Sequence, residues 1–159
     1  MKKFSIGDRL IGDEFPTFIV AEIGINHGGD LKVAKKMVAS ARRGGAEVIK
    51  HQTHVIEDEM VSAAKEIVPE NCDDSIYNVI EKCRLSLDEE VELKTYTEKL
   101  GMIYLSTPFS RSAADFLMEI GVLAFKIGSG ECNNYPLIEH ISSYGLPIIL
   151  STGMNDLKT

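Results

Sequence analysis

Lys50 and Lys126 each stand inside an otherwise apolar run, residues 48–53 and 124–129. A lysine is almost never fully buried without a partner, so each must face an anion or solvent. Small donors gather at the ends of these and neighbouring runs: Ser106 with Thr107, Ser129, and Ser151, with backbone amides at Gly128 and Gly130. Two fixed positive charges ringed by hydroxyls and amides make a cage for a small dianion, a phosphate or a carboxylate. The plainer alternative leaves both lysines at frayed strand ends, paired with Glu22 or Glu47. Glu22 and Glu131 lie at strand ends near this cluster. They serve either as counter-ions or, beside a substrate, to bind hydroxyls and move protons. The four histidines (His27, His51, His54, His140) show no metal-ligand spacing such as HxxxH. His51 alternates with Lys50 and Gln52, so it is expected on the opposite face of its strand. His140 is expected at the surface, and Glu57-Asp58-Glu59 as a solvated helix face.

The elements that must position these groups are punctuated clearly. Residues 4–16 read as a small hairpin around Gly7-Asp8, closed by Pro16. Apolar runs follow at 18–24, 48–53, 102–107, 124–129 and 148–152, each ending in polar residues and preceding a helix-like segment or the end of the chain. The first run is apolar apart from Glu22, as expected for a strand buried on both faces. Asp30 caps a first helix that Gly44-Gly45 ends; Ser86 and Glu89 form a capping-box pattern before a helix ended by Gly101. Ser112 and Asp115 read as a looser version before a helix that ends at Gly121, and Gly145 and Pro147 close the last one. Between Thr53 and Ser86 the connection is far longer than an ordinary βα loop. It has room for two short helical stretches, near 57–67 and 75–83, and suits a binding loop.

Strand–helix alternation leaves two architectures, an open doubly wound sheet and the (β/α)8 barrel. The first turn, Gly24-Ile25-Asn26-His27-Gly28-Gly29, matches neither nucleotide-binding glycine fingerprint. Chemistry at the end of every strand, rather than at one switch point, favours the barrel. The expected fold is therefore α/β: a partial TIM-type (β/α)8 barrel of about five βα units, with a short N-terminal β-hairpin. Residues 1–16 form the hairpin and 17–159 the N-terminal portion of a truncated barrel. Edge strands and an uncovered core predict an isolated chain that is insoluble, molten or oligomeric.

A net charge of −7 gives no global attraction for nucleic acid or an anionic membrane, so an anionic substrate must be held by local cations. No apolar stretch reaches transmembrane length and the N-terminus lacks a signal-peptide core, which predicts a cytoplasmic protein. The three cysteines Cys72, Cys83 and Cys132 lack CxxC pairing and read as free thiols.

Six strings in order, AEIGINHGG (21–29), KHQTH (50–54), EDEM (57–60), STPFSR (106–111), KIGSGECNNYPLI (126–138) and ILSTGMN (149–155), closely resemble the sialic acid synthase family, in particular its bacterial N-acetylneuraminate synthases. The resemblance runs from about Ile6 to the last residue. It implies a barrel enzyme, homodimeric at full length, that condenses phosphoenolpyruvate with an open-chain N-acetylated amino sugar. The product would be N-acetylneuraminate from N-acetylmannosamine, or alternatively legionaminic or pseudaminic acid from related sugars. The implied cofactor is a divalent metal, manganese or magnesium, with no ligands for it in this chain. By the same resemblance, Lys50, Thr107, Lys126, Ser129 and Ser151 match positions that hold phosphoenolpyruvate. Glu131 matches the carboxylate that handles the proton of the attacking water. Glu22 and Asn71 match contacts to the amino sugar, and Gln52 and Asn133 line the site. Later strands and a C-terminal domain would supply the rest, so the expectation is a fragment inactive alone. The competing reading is a non-catalytic module that keeps only the grip on phosphoenolpyruvate; an aldolase barrel has no evident Schiff-base lysine.

Overall fold

The computed structural model describes residues 3–70 and 73–158. β1 (Phe4–Ile6) and β2 (Arg9–Ile11) pair antiparallel around a turn in which Gly7 takes a left-handed φ of 56°. Five parallel strands follow in chain order: β3 (Val20–Gly24), β4 (Val48–Thr53), β5 (Ile103–Pro108), β6 (Phe125–Ile127) and β7 (Ile148–Leu150). Between them run α1 (Leu31–Arg43), α2 (Ile56–Glu59), α3 (Ile76–Cys83), α4 (Leu87–Lys99), α5 (Arg111–Glu119) and α6 (Tyr135–Ser142). Unbroken sequential strand order, with helices linking parallel strands, is the arrangement of a partial TIM-type barrel.

The caps follow the sequence with one exception. Asp30 accepts from the amides of Lys32 and Val33, and Ser86 and Glu89 form both bonds of a capping box. The helix expected to start at Ser112 is instead capped by Ser110, whose Oγ accepts from Ala113 N. Ser110 is the residue three positions before that amide, the spacing an N-cap requires. Ser112 sits inside the first turn, and its hydroxyl donates to Asp58 at 2.5 Å.

The sheet separates two cores. On its helix side Ile23, Ile49, Tyr104, Phe125 and Ile127 pack against Ala34, Val38, Leu93, Leu117, Leu137 and Ile141. On the opposite side Val48, Leu105 and Ala124 pack around Ile6 of the hairpin, with Phe18, Ile103 and Ile149 at the margin. The hairpin thus floors the interior of the sheet's curve, and the residues one or two places further along each strand stand above that floor. β3 corrects the expectation of a strand buried on both faces: it is an edge strand, and Ile19 and Val20 are exposed. Only β4 pairs along it, so the interior flank of Val20 has no further strand to cover it among the described residues.

Candidate functional site

Strand alternation sorts the strand ends into two layers. Glu22, Lys50, Gln52, Thr107 and Lys126 point to the interior side, above the apolar floor; His51, Thr53, Tyr104 and Ser106 point to the helices. Register places them side by side: Glu22 opposite Lys50, Gln52 opposite Thr107. Glu22 and Lys50 form an ion pair, with the lysine largely buried and the carboxylate half-exposed. Lys50 thus has Glu22 as its partner, as the plainer alternative expected, while lying on the interior face.

Lys126 is held by two acceptors, the Ile127 carbonyl at 2.6 Å and Ser151 Oγ at 2.5 Å. Burial pushes its pKa below the ordinary lysine value, the like charge of Lys50 adds to that, and Glu22 opposes it. The two ammonium groups thus share one environment. Thr107 is almost fully buried, and its Oγ1 has no hydrogen-bond partner among the described residues. An orphaned buried hydroxyl costs about 1–3 kcal/mol, which a ligand oxygen would offset. Ser129 begins the 3-10 turn Ser129–Glu131 after β6, and its hydroxyl lies 3.7 Å from the Met154 sulfur. Asn155 secures the neighbouring loop, donating to the carbonyls of Ser129 and Gly153.

Glu131 accepts from Asn134 Nδ2 at 2.6 Å and borders a hollow of about 300 Å³ that Asp58, Glu59, Phe109 and Arg111 also line. Asn133 is exposed beside it. Asn71, expected to contact a sugar, lies outside the described residues. Over Gly24 (φ 47°) the side chains of Glu22 and Gln52 converge: a Cβ there would meet Glu22 Oε1 at 3.2 Å and Gln52 Nε2 at 3.8 Å. Glycine at this strand end satisfies both the left-handed backbone and the close approach.

Two expectations are corrected. Ser106 is not part of the cage; its Oγ bonds Thr53 Oγ1 at 2.7 Å on the helix side, because it is out of phase with Thr107. Glu59 is not on a solvated face: its side chain is 4% exposed and bonds His54 Nδ1 at 2.8 Å, while Glu57 and Asp58 are exposed as expected. His140 lies at the surface as expected, its side chain 30% exposed, and holds Asp115 at 2.7 Å and Tyr144 at 2.9 Å. His51 does lie opposite Lys50, fully buried, with Nε2 3.0 Å from His27 Nε2 and Nδ1 3.1 Å from the Tyr104 hydroxyl. Sequence reading missed that network and the His54–Glu59 pair. Their only signal was the two-residue spacing that puts His54 in phase with Gln52, and His51 with Thr53.

Among the described residues no group of three or more His, Cys, Asp or Glu could hold a metal ion, and no helix is long and apolar enough to cross a membrane. Among described cysteines, Cys83 and Cys132 are free; Cys72 lies outside the described residues.

Comparison with known proteins agrees with this geometry. The NeuB family model matches residues 37–159. The chain is 42% identical over 157 residues to an uncharacterized protein of Methanocaldococcus jannaschii, covering 99% of this chain and 44% of that one. It is 37% identical over 158 residues to the N,N'-diacetyllegionaminic acid synthase of Legionella pneumophila, covering 96% of this chain and 44% of the relative. Among solved structures, the N-acetylneuraminic acid synthetase of Leptospira borgpetersenii, in complex with citrate, superposes with a TM-score of 0.85 at 32% identity, over 99% of this chain and 52% of that one. The chain thus spans less than half the length of these curated relatives. Strand order, the interior lysines and the family match agree, and the chain belongs to the NeuB family, the sialic acid synthases.

Proposed function

We propose that this chain supplies the phosphoenolpyruvate-binding part of a nonulosonic acid synthase, a C–C bond-forming transferase acting on an N-acetylated amino sugar. Residues 1–16 are the flooring hairpin, and 17–159 the first units of its barrel. The observation that carries this reading is the pairing of two interior lysines with the orphaned Thr107 hydroxyl. A ligand with a phosphate at one end and a carboxylate at the other matches two cations and a row of hydroxyls better than a neutral ligand does.

In the proposed reaction Lys50 and Lys126 neutralise phosphoenolpyruvate while Thr107, Ser129 and Ser151 orient it, so that carbon 3 faces the sugar aldehyde. The C2–C3 π pair forms the bond from carbon 3 to the aldehyde carbon, whose oxygen takes a proton from solvent and becomes a hydroxyl, leaving carbon 2 as an oxocarbenium. Water adds at carbon 2, giving a proton to Glu131. The bond from carbon 2 to the phosphate oxygen then breaks as the new C2 hydroxyl gives its proton to the departing phosphate, releasing hydrogen phosphate and leaving a ketone. By the resemblance, Glu22 and Asn71 contact the sugar, and Gln52 and Asn133 line the site. In the family a divalent metal polarises the aldehyde; the described residues do not make a site that fits it, so no step here runs through one.

N-Acetylmannosamine is the proposed sugar, supported by the likeness to the Leptospira synthetase. The Legionella relative favours a second reading, a diacetylated sugar leading to legionaminic acid. Titrating phosphoenolpyruvate into the chain by calorimetry tests the grip, with Lys50→Met and Lys126→Met each expected to abolish measurable heat. Unchanged binding in both variants would sink the proposal. Incubation of a longer protein that continues this chain to the length of its relatives with phosphoenolpyruvate, manganese and each sugar, read by product mass, decides the acceptor.

A further inference from the structure

His27 is used by none of the proposed steps, yet it is 3% exposed and stands in the turn that leads out of β3 beside the site. Four hydrogen bonds run through it in a row. Gly29 N lies 3.2 Å from His27 Nδ1, and His27 Nε2 lies 3.0 Å from His51 Nε2. His51 Nδ1 lies 3.1 Å from the Tyr104 hydroxyl, and that hydroxyl lies 2.8 Å from Glu90 Oε1. Chemistry fixes both ends, since a backbone N–H only donates and a carboxylate only accepts.

The protons between must follow. Burial keeps the Tyr104 phenol protonated, and its single proton goes to Glu90, so its oxygen accepts from His51 Nδ1–H. A neutral ring with its proton on Nδ1 accepts at Nε2, so the proton between the two rings belongs to His27 Nε2. Burial holds His27 neutral, which leaves its Nδ1 as the acceptor that Gly29 N–H requires. The two ends thus agree on one order, with each ring carrying a single proton, on Nε2 in His27 and on Nδ1 in His51. The reverse order would set an Nδ1 proton against Gly29 N–H and turn a Tyr104 oxygen, its proton given to His51, toward the Glu90 carboxylate.

This turn needs an anchor besides the sheet. The pairing of β3 with β4 shifts register between Glu22 and Gly24, and Gly24 takes a φ of 47°. The ladder is therefore irregular at the strand end over which Glu22 and Gln52 converge. At its far end the turn abuts α3 closely, since a Cβ on Gly29 would collide with the Lys82 carbonyl. We infer that His27 is a positioning residue, latching the Gly24–Gly29 turn to the helix side of the sheet through this one-way chain and so setting Glu22 in the site. The contact of Glu22 with the sugar rests on the proposed function; the latch does not.

The test separates the two. In the ligand-free chain at neutral pH, NMR with 15N-labelled histidine should show opposite tautomers, His27 protonated at Nε2 and His51 at Nδ1. Matching tautomers, or the reverse pair, would overturn the inference. His27→Phe fills the space without either nitrogen, and should speed exchange of the Gly29 amide about tenfold or more. His27→Asn keeps an oxygen near the Nδ1 position and should restore part of that protection. Should His27→Phe not fold, His27→Asn against His27→Gln decides, because only the shorter amide offers Gly29 an acceptor there. A Gly29 amide as protected in the folded variants as in the parent would sink the latch. Kinetics of a longer protein that continues this chain to the length of its relatives add the functional arm. In it His27→Phe should raise KM for the amino sugar about tenfold while KM for phosphoenolpyruvate stays within about threefold. Equal changes in both, or none in either, would refute the positioning role. A longer parent without turnover would count against the proposed function and leave the latch to be decided by the spectra.

Discussion

Lys126 Nζ donates to Ser151 Oγ at 2.5 Å, tying the middle of β6 to the first residue beyond β7. With a second bond to the Ile127 carbonyl, two of its three donors are spent and one is left for an anion. Ser151 thus aims the charge as well as contributing a hydroxyl. Ser151→Ala should weaken phosphoenolpyruvate about 5–20-fold, the cost of one charge-assisted bond, with Lys126→Met losing far more. Calorimetric titration of both variants gives the ranking, and equal losses would contradict the aiming role.

The same lysine sets a pH limit. Burial and the neighbouring charge of Lys50 hold its pKa below 10.5 in the free site. A bound dianion favours the ammonium and raises that pKa again. Between the two values binding takes up a proton, so phosphoenolpyruvate affinity should fall as pH rises through the free site's pKa, beginning below the ordinary lysine range. Titrations in buffers of different ionisation enthalpy should register the uptake on that alkaline limb. A flat affinity up to pH 10.5 would show that Lys126 does not hold the ligand.

Thr107 offers a variant whose two effects have opposite signs. Its orphaned Oγ1 destabilises the empty site, and valine has the same shape without the hydroxyl. Thr107→Val should leave thermal stability equal or raise it by about 1 kcal/mol while weakening phosphoenolpyruvate about tenfold. A variant that loses stability would mean that the hydroxyl has a partner in solution.

The parts of the fold that depend on local chemistry were legible in the sequence. Glycine stops, the Asp30 and Ser86 caps and the apolar runs mark elements that depend on residues a few positions apart. The face taken by the two lysines was legible for a related reason: a lysine inside an apolar strand has few explanations, and alternation assigns it a face. What escaped is what no helical or strand period pairs. Glu59 reads as a solvated acid because the turn from β4 into α2, which folds it back onto His54 five residues earlier, has no period, and the partners of Glu90, Thr53 and Tyr104, arrive from β4 and β5. Ser106 and Thr107 look equivalent in the sequence, and a single step of strand phase separates a network member from a cage member.

Glu90 gives the stability test. It is 1% exposed and its Oε1 accepts from Thr53 Oγ1 and from the Tyr104 hydroxyl at 2.8 Å, with His51 Nδ1 3.4 Å away. Burial, with the Glu90 charge next, pushes the Tyr104 phenol well above its ordinary pKa, so it stays a donor. Glu90→Ala strands these donors in the core and should cost about 3–4 kcal/mol. Glu92, one turn edge away, pairs with Lys35 on the surface, and its removal should cost less than about 1 kcal/mol. Denaturant midpoints of the two variants compare these directly; similar losses would mean that the network is not cooperative.

His27 gives stability a pH dependence whose sign can be worked out. Burial, reinforced by the adjacent ring of His51, holds its pKa below 6.5, against weaker support for the charged form from the Gly24 backbone and Glu90. In the unfolded chain His27 titrates near its ordinary value, so between the folded pKa and 6.5 the unfolded state binds more protons. The contribution of the neutral ring is then complete above about pH 6.5 and lost progressively below it, as protonation of the unfolded state draws the equilibrium away from the fold. Nε2 of His27 lies 3.0 Å from Nε2 of His51, a pair that holds one shared proton comfortably and two only with repulsion. The melting temperature should therefore fall between about pH 7 and pH 5.5. His27→Gln, which keeps a hydrogen-bonding group beside His51 but cannot titrate, should flatten that fall even if it lowers stability at pH 7. A fall of equal size in the variant would assign the acid sensitivity to other groups.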